Sequence, residues 1–458
     1  MRRTLSIIVV AAFAAAESGG PELEKARAKV RTLELEIEAL IGRVAPAVGA
    51  VMNHTADFDE STGRVTMSPL SLGSGCVVSP DGFFLTNVHV VEGAGYLTVA
   101  LPDGQRYPAT LFADTSEGAV KGDIALLKLR GSRRFPFVDW RWGSATRLEP
   151  GSFVFAMGNP HGHALDGIPV VTMGILSGSG RAAAEAGYLY IDAIQTDAEI
   201  NPGNSGGPLF DSRGNLIGIN GLMNSRQGRS NSGVGFAIPI DQVKLFMGKL
   251  IREEGGGVGY GFHGLEVSSA DGEAGARVTR VRMRSPAALA GICPEDVIVT
   301  VNGERISNRT DFVNVVGKLP EKSLLRIRFK RGKTLKAESF RLCAYDDYLA
   351  QIGLTRETKG PLPLHARGYL GVLWEGGHGG VRITEVVSGT GAGKAGLKVG
   401  DQILKLDGVG METVQQLAEA LALLPSGTAV KLGYQRGGRA RSAKLVLCDA
   451  AAAAGLGG

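Results

Sequence analysis

The sequence has few aromatic residues and almost no excess of charge. Phe, Trp and Tyr make up 6% of the 458 residues, so a hydrophobic core has to depend on Val, Leu, Ile and Ala. Lys and Arg number 50 against 45 Asp and Glu. A chain so nearly balanced in charge is a poor ligand for a polyanion, and nucleic acid is therefore not expected as a partner.

Cysteine is also scarce, with four residues in the chain. An even number permits disulfides in an exported protein, and Cys293 and Cys343 fall in one predicted domain, where they could pair. Cys76 lies in a predicted strand region and is expected to be a buried thiol. No spacing of cysteine and histidine resembles a zinc site. Neither a metal nor another cofactor is expected.

Long hydrophobic runs are missing as well. Residues 1–16 combine a basic start, a short apolar run and the small residues Ala14, Ala15 and Ala16, which is typical of a secretory signal peptide. This run falls short of the ~20 residues that a membrane-spanning helix needs, and no later stretch is apolar enough to span. We expect an exported protein with no integral membrane segment after signal cleavage, periplasmic if the source is a Gram-negative bacterium.

Glycine, by contrast, is abundant at 67 residues. This content favours many short strands joined by tight turns over a helical bundle, and the length indicates several domains. The stretches from Asn53 to Leu72 and from Gly178 to Gly187 have the composition of loops, as does that from Asn224 to Ser232.

One amphipathic helix is predicted near the start, in residues 17–46. Its apolar residues recur in steps of three and four, at Leu23, Ala26, Val30, Leu33, Ile37, Leu40 and Val44. This spacing favours a two-stranded coiled coil, with β-branched residues at one position and leucines at the other. A single helix lying on the following domain explains the same pattern, and Pro46 ends the helix in both cases.

The stretch Asn201-Pro-Gly-Asn-Ser-Gly-Gly-Pro-Leu209 places a serine in a turn of unusual flexibility. Gly203 has no Cβ, so the amide N–H groups of Gly203 and Ser205 can point at one spot and form an oxyanion hole. A glycine-rich turn between strands explains the glycines, but it does not explain the serine at this offset.

Two partners for this serine lie upstream. His89 ends a β-branched run, where we expect a rigid strand, and Asp123 stands at the head of an apolar strand that can shield its carboxylate. Each residue is unremarkable by itself. Together, in the order His, Asp, Ser, they indicate the catalytic triad of a two-barrel serine protease.

The sequence resembles the HtrA (Deg) family of serine proteases from about Val48 to Ile251. The resemblance rests on Thr86-Asn-Val-His-Val90, Gly122-Asp-Ile-Ala-Leu126, Gly158-Asn-Pro160, Val171-Thr-Met-Gly-Ile-Leu-Ser177, Gln195 to Leu209 and Gly233-Val-Gly-Phe-Ala-Ile-Pro239. It implies a mainly β fold, with a chymotrypsin-like double β-barrel in residues 47–252, and a homotrimer or a multiple of it.

The resemblance also suggests residues that bind and sense substrate. Ile200 is similar to the floor of the family's specificity pocket, with Leu222 or Met223 as its wall and Asn204 as a further substrate-binding position. An aliphatic pocket without an acid implies cleavage after small aliphatic residues. Arg181 would sense a bound peptide from a regulatory loop.

The rest of the chain repeats itself. Ala290 to Gly303 and Ala395 to Gly408 share Ala-Gly-aliphatic, Asp, Ile and Asn/Asp-Gly at identical offsets. Each copy resembles a PDZ domain (α+β), which binds the C-terminus of a peptide as an added strand. We predict the first at 257–345, a linker at 346–366, the second at 367–449 and a tail at 450–458.

The predicted carboxylate-binding loops differ in how well they match the family. The second loop matches closely, with Tyr369, Leu370, Gly371 and Val372. The first departs from it at His263, with Phe262, His263, Gly264 and Leu265. Glu295 stands where the second copy has Gly400 and where the turn needs a positive φ. Both departures bear on peptide binding by the first module more than on its fold.

These observations together predict an ATP-independent serine endopeptidase that degrades unfolded or damaged proteins. Its partners would be unfolded polypeptides, protein C-termini and further copies of the chain. The alternative is a peptide-binding chaperone or scaffold whose protease domain is mostly inactive.

Overall fold

A computed structural model of the chain describes residues 21–59, 64–94, 96–118, 120–159, 167–185, 188–223, 233–252, 254–352, 368–377 and 380–448. The chain forms two compact units, Met1–Val258 and Gly259–Gly458. Within the described ranges, no helix has both the length and the apolar character to cross a bilayer. The predicted signal peptide and tail lie outside these residues.

The predicted N-terminal helix is confirmed as α1 (Pro21–Val44). It ends in a 3-10 turn, Ala45–Ala47, whose proline stands in the first turn. Leu40 and Val44 are each 4% exposed, whereas Val30 is 40% exposed. Arg43 donates to the carbonyl of Arg213. The C-terminal end of α1 is thus anchored on the first unit, and part of its apolar seam is open.

The first barrel comprises β1 (Val48–Asp59), β2 (Arg64–Val77), β3 (Phe83–Thr86), β4 (Tyr96–Ala100), β5 (Arg106–Asp114) and β6 (Ala125–Leu129). Its order is β5-β4-β1-β2-β3-β6, closed by pairing of β5 with β6. The loop predicted from Asn53 to Leu72 is wrong, because β1 and β2 pair there as a long antiparallel hairpin up to Asp59 and Arg64. Pairing with a partner strand overrides weak local strand preference.

The second barrel comprises β7 (Phe153–Gly158), β8 (Val170–Glu185), β9 (Tyr188–Thr196), β10 (Pro208–Asp211), β11 (Leu216–Met223) and β12 (Gly235–Pro239). It is closed in the order β10-β11-β12-β9-β8-β7. The loop predicted to begin at Gly178 is wrong in its described part, since these residues extend β8 and pair with β9 through repeated register shifts. The stretch 224–232 lies outside the described residues.

The cores of both barrels are built mainly from aliphatic residues, as the composition indicates. The second barrel buries Val154, Leu176, Ile194, Leu209 and Ile217 at 0% exposure. Helix α3 (Ile240–Leu250) and the short strand β13 (Gly256–Gly257) follow the barrels, and β13 adds in parallel to β5.

The second unit contains two modules of the same topology. The first has β14 (Leu265–Ser269), β15 (Ala276–Val281), α4 (Pro286–Leu289), β16 (Val297–Val301), β17 (Glu304–Arg305), α5 (Arg309–Val316), β18 (Leu324–Arg331), β19 (Thr334–Arg341) and α6 (Tyr345–Gln351). The second has β20 (Val372–Gly377), β21 (Gly380–Val386), α7 (Gly391–Lys394), β22 (Gln402–Leu406), β23 (Val409–Gly410), α8 (Val414–Ala422), β24 (Ala429–Arg436) and β25 (Arg439–Val446). Strands β14 and β20 each lie at one edge of their sheet, and β19 and β25 lie at the other.

The start of the predicted polar linker is helical. In α6, Tyr348 is 3% exposed, and its ring centroid lies 4.4 Å from that of Phe262. Aromatic packing of this kind is worth about 1 kcal/mol beyond area burial. It attaches the beginning of the segment to the first module.

All four cysteines are free thiols, so the disulfide considered between Cys293 and Cys343 is not formed. Cys343 Sγ instead lies 3.8 Å from the carbonyl of Phe262. Cys76 is 1% exposed, and burial raises the pKa of its thiol to about 12. It is an inert core residue at neutral pH.

Candidate active site

His89 lies on the short helix α2 (Val88–Val91), between β3 and β4. The strand predicted for this position is wrong, because three valines beside the histidine are buried in a helical turn. Asn53 Nδ2 and Ser71 Oγ both donate to the carbonyl of Val90, at 3.3 and 2.7 Å. These two bonds come from β1 and β2 and hold the helical turn in place. The position of the His89 imidazole is thus set by tertiary contacts rather than by the helix propensity of the valines.

Asp123 precedes β6 by two residues and is 1% exposed. Its Oδ2 lies 2.8 Å from His89 Nδ1, and its Oδ1 accepts the backbone N–H of His89 at 3.0 Å. Oδ2 also accepts the hydroxyl of Tyr190. Asn87 Nδ2 donates to the backbone carbonyl of Asp123 at 2.7 Å. Each carboxylate oxygen has a donor, which is what a buried charge requires.

Ser205 lies in the turn before β10, on the second barrel. Its Oγ donates to the carbonyl of Gly221 at 3.1 Å. Ser74 of the first barrel donates through its amide to the carbonyl of Ser205 at 2.8 Å, and through its hydroxyl to the carbonyl of Gly203 at 2.5 Å. The serine turn is therefore held by bonds from the opposite barrel.

Two glycines of the same turn have positive φ angles. Gly203 has a φ of +100° and Gly206 a φ of +82°, values that L side chains rarely adopt. No acceptor among the described residues is bonded to the amide N–H of Gly203 or of Ser205. Two amides at this turn are thus available to a ligand.

The predicted substrate-binding residues occupy different surroundings. Ile200 is 0% exposed, in the second-barrel core beside Gly235. Asn204 is 1% exposed, and its Nδ2 lies 3.4 Å from the carbonyl of Glu199. Leu222 lies on β11, and its side chain is outside the described part. Arg181 lies on β8, exposed, with its guanidinium folded over Gly178.

Two tyrosines near the triad were missed by the sequence reading. Tyr190 donates to Asp123, as described above, and Tyr188 donates to Glu92 Oε2 at 2.8 Å. The Tyr188 hydroxyl and then Lys121 hold the pKa of Glu92 below its usual value. The alternation of two tyrosines on one strand was the available signal, since residues two apart share a face of a strand.

The two predicted carboxylate-binding loops have similar backbones. Gly264 and Gly371 have φ values of +82° and +75°, and each lies against the side chain of a hydroxyl residue, Ser285 or Thr390. In the first loop, the amide of Leu265 donates to Nδ1 of His263 at 2.9 Å.

Comparison with known proteins places these features in a family. A profile described as a trypsin-like peptidase domain matches residues 73–219, and one described as a PDZ domain matches 259–340 and 368–447. A protein of Marinomonas sp. (strain MWYL1), named probable periplasmic serine endoprotease DegP-like, is 33% identical over 80% of this chain and 77% of its own length. The chain belongs to the HtrA family of serine endoproteases.

Other relatives agree with this membership. A protein of the same name from Hahella chejuensis (strain KCTC 2396) is 34% identical over 79% of this chain and 77% of its own length. A solved structure titled HtrA-type protease AlgW with decapeptide is 31% identical, covers 67% of this chain and 97% of its own, and superposes with a TM-score of 0.53.

This HtrA protein is thus a serine endopeptidase of the periplasmic, DegP-like type, with a double-barrel protease domain and two PDZ domains. The comparisons favour the protease over the chaperone or scaffold alternative. They also indicate binding of peptide substrates and assembly into oligomers.

Proposed function

We propose that this HtrA protein hydrolyses peptide bonds with Ser205 as nucleophile, His89 as general base and acid, and Asp123 as the group that orients His89. The 2.8 Å separation of His89 Nδ1 and Asp123 Oδ2 carries the proposal, because it leaves Nε2 of the imidazole as the nitrogen that can accept a proton.

The steps follow the chemistry of acyl transfer. Ser205 Oγ attacks the scissile carbonyl while His89 takes its proton and then delivers that proton to the leaving amine. The amides of Gly203 and Ser205 donate to the oxyanion of the tetrahedral intermediate. Water, activated by His89, then releases the acyl group from Ser205.

Unfolded polypeptides are the proposed substrates, and the PDZ domains are proposed to bind their C-termini. The edge positions of β14 and β20 support this, since each can accept an added peptide strand. Cleavage after small aliphatic residues is proposed from the aliphatic Ile200. Sites mapped by mass spectrometry on a casein digest should concentrate after Val, Ala and Ile, and a majority after Lys or Arg would refute this preference.

The nucleophile is tested by Ser205→Ala. We expect casein cleavage to fall by several powers of ten, since loss of a triad member has that effect, and labelling by a fluorophosphonate to disappear. Ser212→Ala, in an exposed turn seven residues away, is the matched control and should keep both signals. Casein cleavage by Ser205→Ala at the wild-type rate would disprove the assignment.

A homotrimer built through the protease domains is proposed as the assembly. Three heptads form only a marginal helix pair by themselves, so α1 is expected to join or bridge trimers that the barrels hold together. Light scattering should give a trimer or a multiple of it for the full chain and a trimer for a protein starting at Ala45. Monomers after truncation would show that α1 holds the oligomer.

A further inference from the structure

Tyr190 joins the two barrels at the carboxylate of Asp123. It lies on β9 of the second barrel and is 1% exposed. Its hydroxyl donates to Oδ2 of Asp123, the oxygen that also lies 2.8 Å from His89 Nδ1. Oδ1 accepts the backbone N–H of His89. The carboxylate is thus clamped by three donors, of which Tyr190 is the one that does not belong to His89.

The space for the Tyr190 side chain is provided by a glycine. A Cβ added to Gly221 would lie 2.6 Å from Cζ of Tyr190, and closer still to its hydroxyl. The carbonyl of the same Gly221 accepts the hydroxyl of Ser205. The tyrosine ring therefore fills the volume between the carboxylate of Asp123 and the backbone that contacts the nucleophile.

A phenol aimed at a buried carboxylate has an electrostatic effect that packing alone does not require. Burial disfavours an ionised carboxylate, and each donor that it accepts favours the charged form. A donor on Oδ2 also withdraws negative charge from the oxygen next to the imidazole, which makes the imidazolium less stable. The ring of a phenylalanine would fill the same volume without either effect.

We propose that Tyr190 is a positioning residue for the His89–Asp123 pair. Its hydroxyl fixes the orientation of the carboxylate and limits the basicity that Asp123 confers on His89. This inference rests on the proposed triad, which it extends by a member from the opposite barrel. Glycine at position 221 is also required for this role, because a larger residue there would displace the Tyr190 phenol from Asp123.

The first test is Tyr190→Phe, which keeps the ring. Loss of the bond that fixes the orientation of the Asp123 carboxylate should misplace His89 and lower kcat by about tenfold or more, with KM nearly unchanged. The acid limb of the pH profile of kcat/KM should shift to higher pH, because His89 becomes more basic. Tyr107→Phe is the matched control: Tyr107 is also buried, its hydroxyl donates to another carboxylate oxygen, Asp103 Oδ2, at 2.7 Å, and its loss should leave the acid limb in place.

The second test moves the hydroxyl from position 190 to position 221. Tyr190→Ala should lose activity, and Gly221→Ser alone should lose it by collision with the ring. The double variant Tyr190→Ala/Gly221→Ser returns a hydroxyl to the vacated space beside Asp123. We expect it to recover at least tenfold in kcat over Tyr190→Ala. Tyr190→Ala/Gly221→Ala, which adds the Cβ without the hydroxyl, should not recover.

The results separate this inference from the triad itself. Wild-type kcat and an unmoved acid limb in Tyr190→Phe, with Ser205→Ala inactive, overturn the role of Tyr190 and leave the triad intact. An equal loss in Tyr190→Phe and Tyr107→Phe without a pH shift also overturns it, as a general effect of removing a buried hydroxyl. Casein cleavage by Ser205→Ala overturns the triad, and the inference falls with it.

Discussion

The two PDZ modules share one ion pair with a buried aspartate but differ at the loop that is proposed to bind the peptide carboxylate. Arg331 donates to both carboxylate oxygens of Asp296, at 2.8 and 2.7 Å. Arg436 donates to both oxygens of Asp401, at 2.6 Å each. Both aspartates are 1% exposed. Each arginine also donates to a carbonyl five residues before its aspartate, so the two copies have the same internal support.

The loops differ in one side chain. Leu370 of the second module is 0% exposed and packs in the core, where it cannot accept a hydrogen bond. His263 of the first module accepts the amide of Leu265 and lies edge-on to Phe312 of α5, with ring centroids 5.6 Å apart. An N–H that is bonded within its own loop is not free for a peptide carboxylate. In the first loop, one amide is thus already engaged by a side chain of the same loop.

The largest expected effect tests what the modules share. Arg331→Leu and Arg436→Leu each leave a buried carboxylate without its cation, which costs about 3 kcal/mol. Hydrogen exchange followed by mass spectrometry should show faster exchange in the strands of the altered module and unchanged exchange in the other. If only one of the two variants showed a large loss of protection in its own altered module, the two ion pairs would not be equivalent.

The next effect is a pH dependence of stability that we expect in the first module, which has His263, and not in the second, which has Leu370 at this position. Burial, with a smaller contribution from Arg282, lowers the pKa of His263 to about 4. The folded state therefore resists protonation that the unfolded chain accepts at about pH 6.5. Stability of the first module should be complete above that pH and fall by about 2 kcal/mol on acidification to pH 4.

Exchange measurements at pH 7 and pH 4.5 on wild type and His263→Leu test this difference. The variant lacks the titrating group, so its first module should lose less stability over the same interval. Equal losses in both proteins would show that His263 is solvated in the folded state.

A smaller effect concerns peptide affinity. His263→Leu removes the acceptor inside the first loop and frees the amide of Leu265, which should strengthen binding of a C-terminal peptide by about tenfold. The measurement is fluorescence anisotropy in a Gly371→Ala background, in which the added Cβ meets Thr390 and disables the second loop. Unchanged affinity would mean that the loop already binds as its counterpart does.

The smallest effect lies at a turn of the first module. Glu295 has a φ of +68°, and its counterpart Gly400 has +88°. A non-glycine residue in this region is strained by about 1 kcal/mol. The exposed ion pair of Glu295 with Arg277 offsets little of this strain energy, because exposed pairs contribute little to stability. Glu295→Gly should raise the unfolding free energy of the first module by about 0.5 kcal/mol, and Gly400→Glu should lower that of the second.

The parts that the sequence predicted are those with local signals. The serine turn, the charge of Asp123 before an apolar strand and the positive φ expected at position 295 depend on a few neighbouring residues. The barrel hairpins and the helical turn of His89 depend instead on residues distant in sequence. The bonds to the Val90 carbonyl, for example, come from Asn53 and Ser71 on other strands. Tyr190 and Gly221 are also far apart in sequence, so their fit could not be foreseen.

The hydrogen bonds of Ser74 have a consequence for the timing of activity during folding. Because a residue of the first barrel completes the turn of Ser205, a chain that has folded only one half has no organised nucleophile. We expect a newly exported chain in this condition not to cleave its unfolded neighbours. Refolding sampled over time should show fluorophosphonate labelling only after both barrels are protected from hydrogen exchange, and labelling ahead of the first barrel would contradict this order.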